Sequence, residues 1–243
     1  MGGKLNMKKY SKLLGVALII CTIISPSLPV FGATQFTDIQ VQAVTSNDEG
    51  AASMKSIKEA QRGIYNQETI NAEWAKAKKK PIMADKASVK SLTNEIVNLT
   101  TGTYPTRKGV ILVTADWYKG LLPTGHSGII WSNTTVVESL ANGVTTGPNN
   151  WNLTKNSCYG VTTYDTTAEE DALASDWCYS QIGKPYNFNY FNPYTRSAFY
   201  CSQLVYASYL DLYSINLDTF SYLNAVHPME LVNSSETFTI YQK

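Results

Sequence analysis

Residues 125–140 read GHSGIIWSNTTVVESL. Two β-branched runs, His126 to Trp131 and Thr134 to Leu140, flank a tight turn at Ser132-Asn133. That pattern predicts an antiparallel hairpin. Alternate residues of a strand share a face. Folding the hairpin about its turn therefore brings His126 and Glu138 near opposite each other on one face. Cross-strand neighbours have Cβ atoms about 4.5–5.5 Å apart. Glu138 sits among Val136, Val137 and Leu140, and a carboxylate in that company is costly unless it finds a partner. The imidazole supplies one.

The flanking sequence extends the sheet. Val110 to Thr114 is a short apolar run that reads as a buried strand. Asn142-Gly143 is a hairpin turn signal, with Val144 to Thr146 after it. Tyr159 to Tyr164 reads as a further strand, and Phe238 to Tyr241 as a closing one. Between them lie two helices. The first starts at a capping box, Thr166-Thr167-Ala168-Glu169-Glu170, and runs to about Ile182, where Gly183-Lys184-Pro185 stops it. The spacing of Ala174, Cys178 and Ile182 predicts one buried face. The second runs from Cys201 to Leu212, with Leu204, Val205, Ala207, Ser208 and Leu212 on or near its buried side. Strands and helices mix without a βαβ alternation, which predicts the α+β class.

Cys201 falls at the start of that second helix, after a loop. Unpaired backbone N–H groups and the helix dipole favour an anion there. A thiol so placed ionises more readily and becomes a better nucleophile. It still needs a base and an orienting group, and His126 with Glu138 can supply both. Taken singly, each residue has a plainer reading. Cys201 reads as a small core hydrophobe, His126 as a turn residue and Glu138 as a solvent-facing strand residue.

Four segments in order carry a family resemblance. They are Gly125-His126-Ser127-Gly128, Val136-Val137-Glu138-Ser139, Gly183-Lys184-Pro185-Tyr186 and Tyr200-Cys201-Ser202-Gln203. Together they resemble the circularly permuted papain-like amidases, the YiiX/YaeF/YycO-like branch of the NlpC/P60 superfamily. Late in the chain, Pro228-Met229-Glu230-Leu231 is similar to that family's closing turn. The resemblance covers about residues 104–243. It implies a permuted papain-like fold with Cys201 as nucleophile, His126 as base and Glu138 as the third member. It also implies substrate contacts at Tyr186 and Tyr200, a thioester acyl-enzyme, and no metal or other cofactor. Cell-wall peptide is the substrate class it favours. A lipid or acyl ester is the alternative, and the aromatic loop from Tyr186 to Tyr194 suits an acyl pocket. A non-catalytic binding module at the cell surface is the remaining reading. Asn187 stands where relatives often carry Asp.

Composition bounds the rest. The chain has 243 residues, 44% hydrophobic and 16% charged, with net charge +1. This is enough apolar surface for a core. It leaves no electrostatic footprint for nucleic acid. No CxxC pair occurs, and the two histidines are far apart, so spacing assembles no zinc site.

The leader carries Lys4, Lys8, Lys9 and Lys12 before the apolar run Leu13 to Ile24, which is too short for an ordinary membrane span. It reads as a signal peptide over residues 1–33, cut near Gly32 or Ala33, with Val41-Gln42-Ala43 as a second candidate. An uncleaved anchor is the competing reading. Export predicts a secreted or envelope-associated protein with three remaining cysteines, of which Cys158 and Cys178 are free to pair. Residues 34–103 read as a linker and a helical extension. Helices are expected over 54–80, with Ile57, Ile64 and Trp74 as buried contacts, and over 87–99. Residues 104–243 form the expected hydrolase domain.

Overall fold

The computed structural model describes residues 67–87, 102–116 and 125–243. The leader, the lead-in, Ile57 and Ile64, and nearly all of the helix expected over 87–99 lie outside the described residues. Among the described residues, five helices and six strands follow in order. They are α1 (Gln67–Ala77), β1 (Ile111–Thr114), β2 (His126–Ser132), β3 (Thr135–Leu140), β4 (Gly143–Pro148), α2 (Trp151–Thr154), β5 (Tyr159–Thr163), α3 (Ala168–Tyr179), α4 (Cys201–Tyr213), α5 (Pro228–Asn233) and β6 (Thr237–Gln242). The strands form one sheet in the order β4-β3-β2-β1-β5-β6. Every neighbouring pair is antiparallel. The class is α+β, as the pattern of elements predicts.

Period-two alternation divides the core into two parts. Ile111, Val113, Ile129 and Val137 face a cluster that includes Ala174, Leu204 and Val205 from α3 and α4. The alternate residues Leu112, Ile130 and Val136 pack with Trp151, Phe238 and Ile240. Helix α4 is buried continuously from Cys201 to Tyr209, the signature of a helix enclosed by protein on all sides. Helix α3 begins with the capping box read from sequence. The Glu170 N–H donates to Thr167 Oγ1 at 3.1 Å, and the Thr167 N–H donates to Glu170 Oε2 at 2.7 Å.

Two expected core positions are exposed instead. Ile182 is 42% exposed because α3 ends at Tyr179 and a turn carries Ile182 away from the Ala174–Cys178 face. Leu212 is also 42% exposed, in the last turn of α4, beyond the reach of the sheet. Cys158, Cys178 and Cys201 are all free thiols. The pairing that sequence allowed for Cys158 and Cys178 does not form.

The segment before the sheet is stitched to it. Asn233 Nδ2 donates to Glu73 O at 2.8 Å and to Glu73 Oε2 at 2.7 Å. Lys80 Nζ donates to Ser234 O at 2.7 Å. Ile82 bridges Thr239 of β6, and the Met83 N–H donates to Thr239 O at 2.8 Å. Trp74 packs partly buried against the main core, and Ile70 and Ala77 are buried in it.

A charged network anchors the same segment. Asp171, fully buried on α3, accepts from Arg107 Nη1 at 2.9 Å and Lys86 Nζ at 3.2 Å. It also accepts from Thr162 Oγ1 at 2.6 Å and Tyr209 Oη at 3.2 Å. Arg107 Nε reaches Asp85 at 2.8 Å.

Candidate active site

His126 opens β2 at one end of the sheet, next to Gly125. Its register partner on β1 is Thr114. Glu138 lies directly opposite Gly128 on β3, so it is the diagonal neighbour of His126. The expected opposition is therefore offset by two residues. The turn falls at Asn133-Thr134 rather than Ser132-Asn133, and the register shifts between Ile130 and Ser132. A two-residue turn at Ser132-Asn133 would pair Ser127 with Glu138; the observed turn and register shift move the pairing by one residue, to Gly128, and that shift sets both side chains on one face. Gly128 has no room for a side chain: a Cβ there would stand 2.6 Å from Val136 Cγ1 and 3.4 Å from Glu138 Cβ. His126 Nε2 and Glu138 Oε2 are 2.6 Å apart. The ring is 1% exposed and the acid 9%.

Because Glu138 holds Nε2, the ring nitrogen left for sulfur is Nδ1. Cys201, the first residue of α4, hydrogen-bonds to His126 and accepts from the backbone N–H groups of Ser127 and Ser202. Burial pushes the thiol up, but the imidazole and the two backbone donors outweigh it and hold Cys201 below the ordinary thiol range. Burial pushes the imidazole down, yet its bonds to Cys201 and Glu138 raise it to about 9. Both shifts favour a thiolate–imidazolium pair at neutral pH.

An aromatic ring covers the imidazole. Trp151 of α2 stacks on His126, with ring centroids 5.4 Å apart and planes 26° apart. Lys155 Nζ lies 5.3 Å from the Trp151 ring. On the loop before α4, Tyr186 Oη and Tyr190 Oη are 3.3 Å apart, and Phe188 packs on Tyr186 at 4.9 Å. Burial pushes the Tyr190 phenol up to about 12, and the charge of Cys201 adds to this, so Tyr190 lies within the field of the thiolate. Among the described residues, no three His, Cys, Asp or Glu side chains are grouped to hold a metal ion.

The family of permuted papain-like amidase enzymes (YaeF/YiiX, C92 family) matches residues 111–236, a span that holds the thiol, the imidazole and the acid. The chain belongs to this family. Among similar proteins, the uncharacterized protein YycO of Bacillus subtilis (strain 168) is 30% identical over 251 residues, which is 97% of this chain and 98% of that protein. Among solved structures, the metalloprotein yiiX of Escherichia coli O157:H7 aligns with TM-score 0.46 and 14% identity. The alignment covers 58% of this chain and 99% of that one.

In this member of the family, the structure brings Cys201, His126 and Glu138 together. Tyr186 also lies in the aromatic wall before α4. Tyr200 is 2% exposed; its hydroxyl donates to Tyr190 O at 3.2 Å and accepts from the Val226 N–H at 3.1 Å. Its N–H donates to Gln203 Oε1 at 3.1 Å and its carbonyl accepts from the Leu204 N–H at 3.0 Å, so hydroxyl and backbone alike are engaged within the protein. Asn187 Nδ2 donates to Gln203 Oε1 at 2.9 Å and to Asn192 O at 3.0 Å, tying the loop to α4.

Trp151 has no counterpart in the sequence reading. It lies 25 residues from His126 in a four-residue helix, and no periodicity marks it. Its indole covers the imidazole and favours its charged form. Trp151→Ala is expected to lower the His126 titration midpoint and to cost about 3–5 kcal/mol of stability, the usual range for losing a buried Trp. Ring-proton NMR and the denaturant midpoint check the two parts separately.

Proposed function

We propose that this protein is an exported thiol hydrolase that cleaves an amide bond through Cys201, His126 and Glu138. The observation that carries the reading is the buried chain from sulfur to imidazole to carboxylate. The Cys201 thiolate attacks the carbonyl carbon and a C–S bond forms. The backbone N–H of Cys201, at the helix start, is the proposed donor to the resulting oxyanion. The C–N bond then breaks, and His126 passes its proton to the leaving amine. Water, deprotonated by His126, attacks the thioester, releases the acid and restores the thiol pair. Glu138 fixes the imidazole tautomer and stabilises the imidazolium.

The basic start of the chain and its apolar run at residues 13–24 support export, to the medium or the cell envelope. Cell-wall peptide is the substrate class proposed. The Tyr186–Phe188–Tyr190 wall supports a second substrate class, an acyl ester or lipid, handled by the same steps. Incubating the mature protein with purified cell wall and, separately, with acyl lipids, followed by mass spectrometry, tests both. Release of peptide or of fatty acid identifies the class. Release of neither, with a thiol that alkylates slowly at neutral pH, leaves a binding module.

The pH dependence follows from the two shifts. The thiol must be ionised and the imidazole protonated. Activity is therefore expected to rise as pH passes the lowered Cys201 value and to fall as His126 loses its proton near pH 9. Alkylation of Cys201 needs only the thiolate, so it rises over the same acid limb and does not fall above pH 9. Comparing the two profiles checks the assignment.

A further inference from the structure

Glu138 reaches His126 across a sheet whose outermost strand on that side is β4. On β4, Thr145 lies directly opposite Glu138, and Gly147 lies opposite Val136. Gly147 is therefore the diagonal neighbour of Glu138 on the same face, as His126 is on the other side. A Cβ built on Gly147 would stand 2.2 Å from Glu138 Oε1 and 3.3 Å from its Cδ, and among the described residues no other atom beyond its chain neighbours lies within 4 Å. The strand backbone at Gly147 asks nothing special of a glycine, since its φ lies outside the left-handed region. What the position demands is room for one carboxylate oxygen.

We infer that Gly147 is a positioning residue for the acid: a seat on β4, free of any side chain, that lets Glu138 lie flat enough for Oε2 to reach His126 Nε2. The inference rests on Glu138 being the carboxylate that orients His126. A methyl group at 147 meets the free end of a flexible side chain rather than backbone. The acid swings away, the strand stays paired, and the 2.6 Å bond to the ring is lost. Without its acid the imidazolium is less favoured, so the His126 midpoint falls and the thiolate loses its counter-ion at lower pH.

The test is Gly147→Ala in the full chain, read by ring-proton NMR of His126 and by the pH profile of Cys201 alkylation with iodoacetamide. The His126 midpoint is expected to fall by about one pH unit, the low end of what a close carboxylate supplies. The acid limb of alkylation moves to higher pH. In a Glu138→Gln background, Gly147→Ala is expected to change neither profile further. An unchanged midpoint in a folded Gly147→Ala chain overturns the inference. If Gly147→Ala melts the chain, a Glu138→Ala background decides. Recovery of the melting temperature places the conflict at Glu138, and no recovery shows that Gly147 serves the strand itself. Neither readout needs turnover, so a chain that hydrolyses nothing fails the proposed function without touching this test.

Discussion

Cys201→Ala is expected to remove hydrolysis down to the detection limit, a loss on the order of 10⁵–10⁶ in kcat, while the chain stays folded. The loss is that large because sulfur is the atom that bonds to substrate; His126 and Glu138 have nothing to activate without it. The fold is expected to change by about 1 kcal/mol, because Cys→Ala removes one buried atom and leaves Ser127 and Ser202 on their own strand and helix. Circular dichroism and a denaturant titration check the fold, and mass spectrometry of the reaction checks the chemistry. Hydrolysis within tenfold of wild type would remove the nucleophile assignment and, with it, the proposed function.

A large effect on stability is expected at Asp171. This carboxylate is buried and takes Arg107, Lys86 and the hydroxyls of Thr162, Thr166 and Tyr209 at once. Asp171→Ala leaves two cations inside the protein with only Asp85 to balance them. Removing one partner from a buried ionic cluster costs about 3–5 kcal/mol, because the remaining charge is desolvated without compensation. For a domain of this size, that lowers the melting temperature by roughly 10 °C. Asp171→Asn keeps an acceptor and is expected to fall between the two. The denaturant midpoint should drop with its slope unchanged. A loss below about 1 kcal/mol would mean that Lys86 and Arg107 reach water in the folded chain.

Part of this structure was legible because its signals are local. The hairpin from His126 to Leu140 announces itself by alternation, but which face the acid shares with the imidazole depends on the register. The capping box at Thr167 and Glu170 is four residues of sequence with one physical meaning. The helix start at Cys201 is likewise local. The exact register was not legible, because a bulge near Ile130 shifts the pairing and nothing in the residue types marks it. Ile182 and Leu212 failed for a related reason: helical spacing predicts a face but not where the helix stops or the partner surface ends. Trp151, Gly147 and the Asp85–Arg107–Asp171–Lys86 network were not legible at all. Each acts through a contact made only after the chain has closed on itself, and no period or motif encodes it.

The bridge from Ile82 and Met83 to Thr239 has a consequence for how molecules meet one another. Strand β6 is the outer margin of the sheet, and an open margin is a template onto which a neighbouring molecule can zip its own strand. Here the chain lays part of its own N-terminal segment across that template. The molecule thereby occupies the place where a stacking fibre would begin.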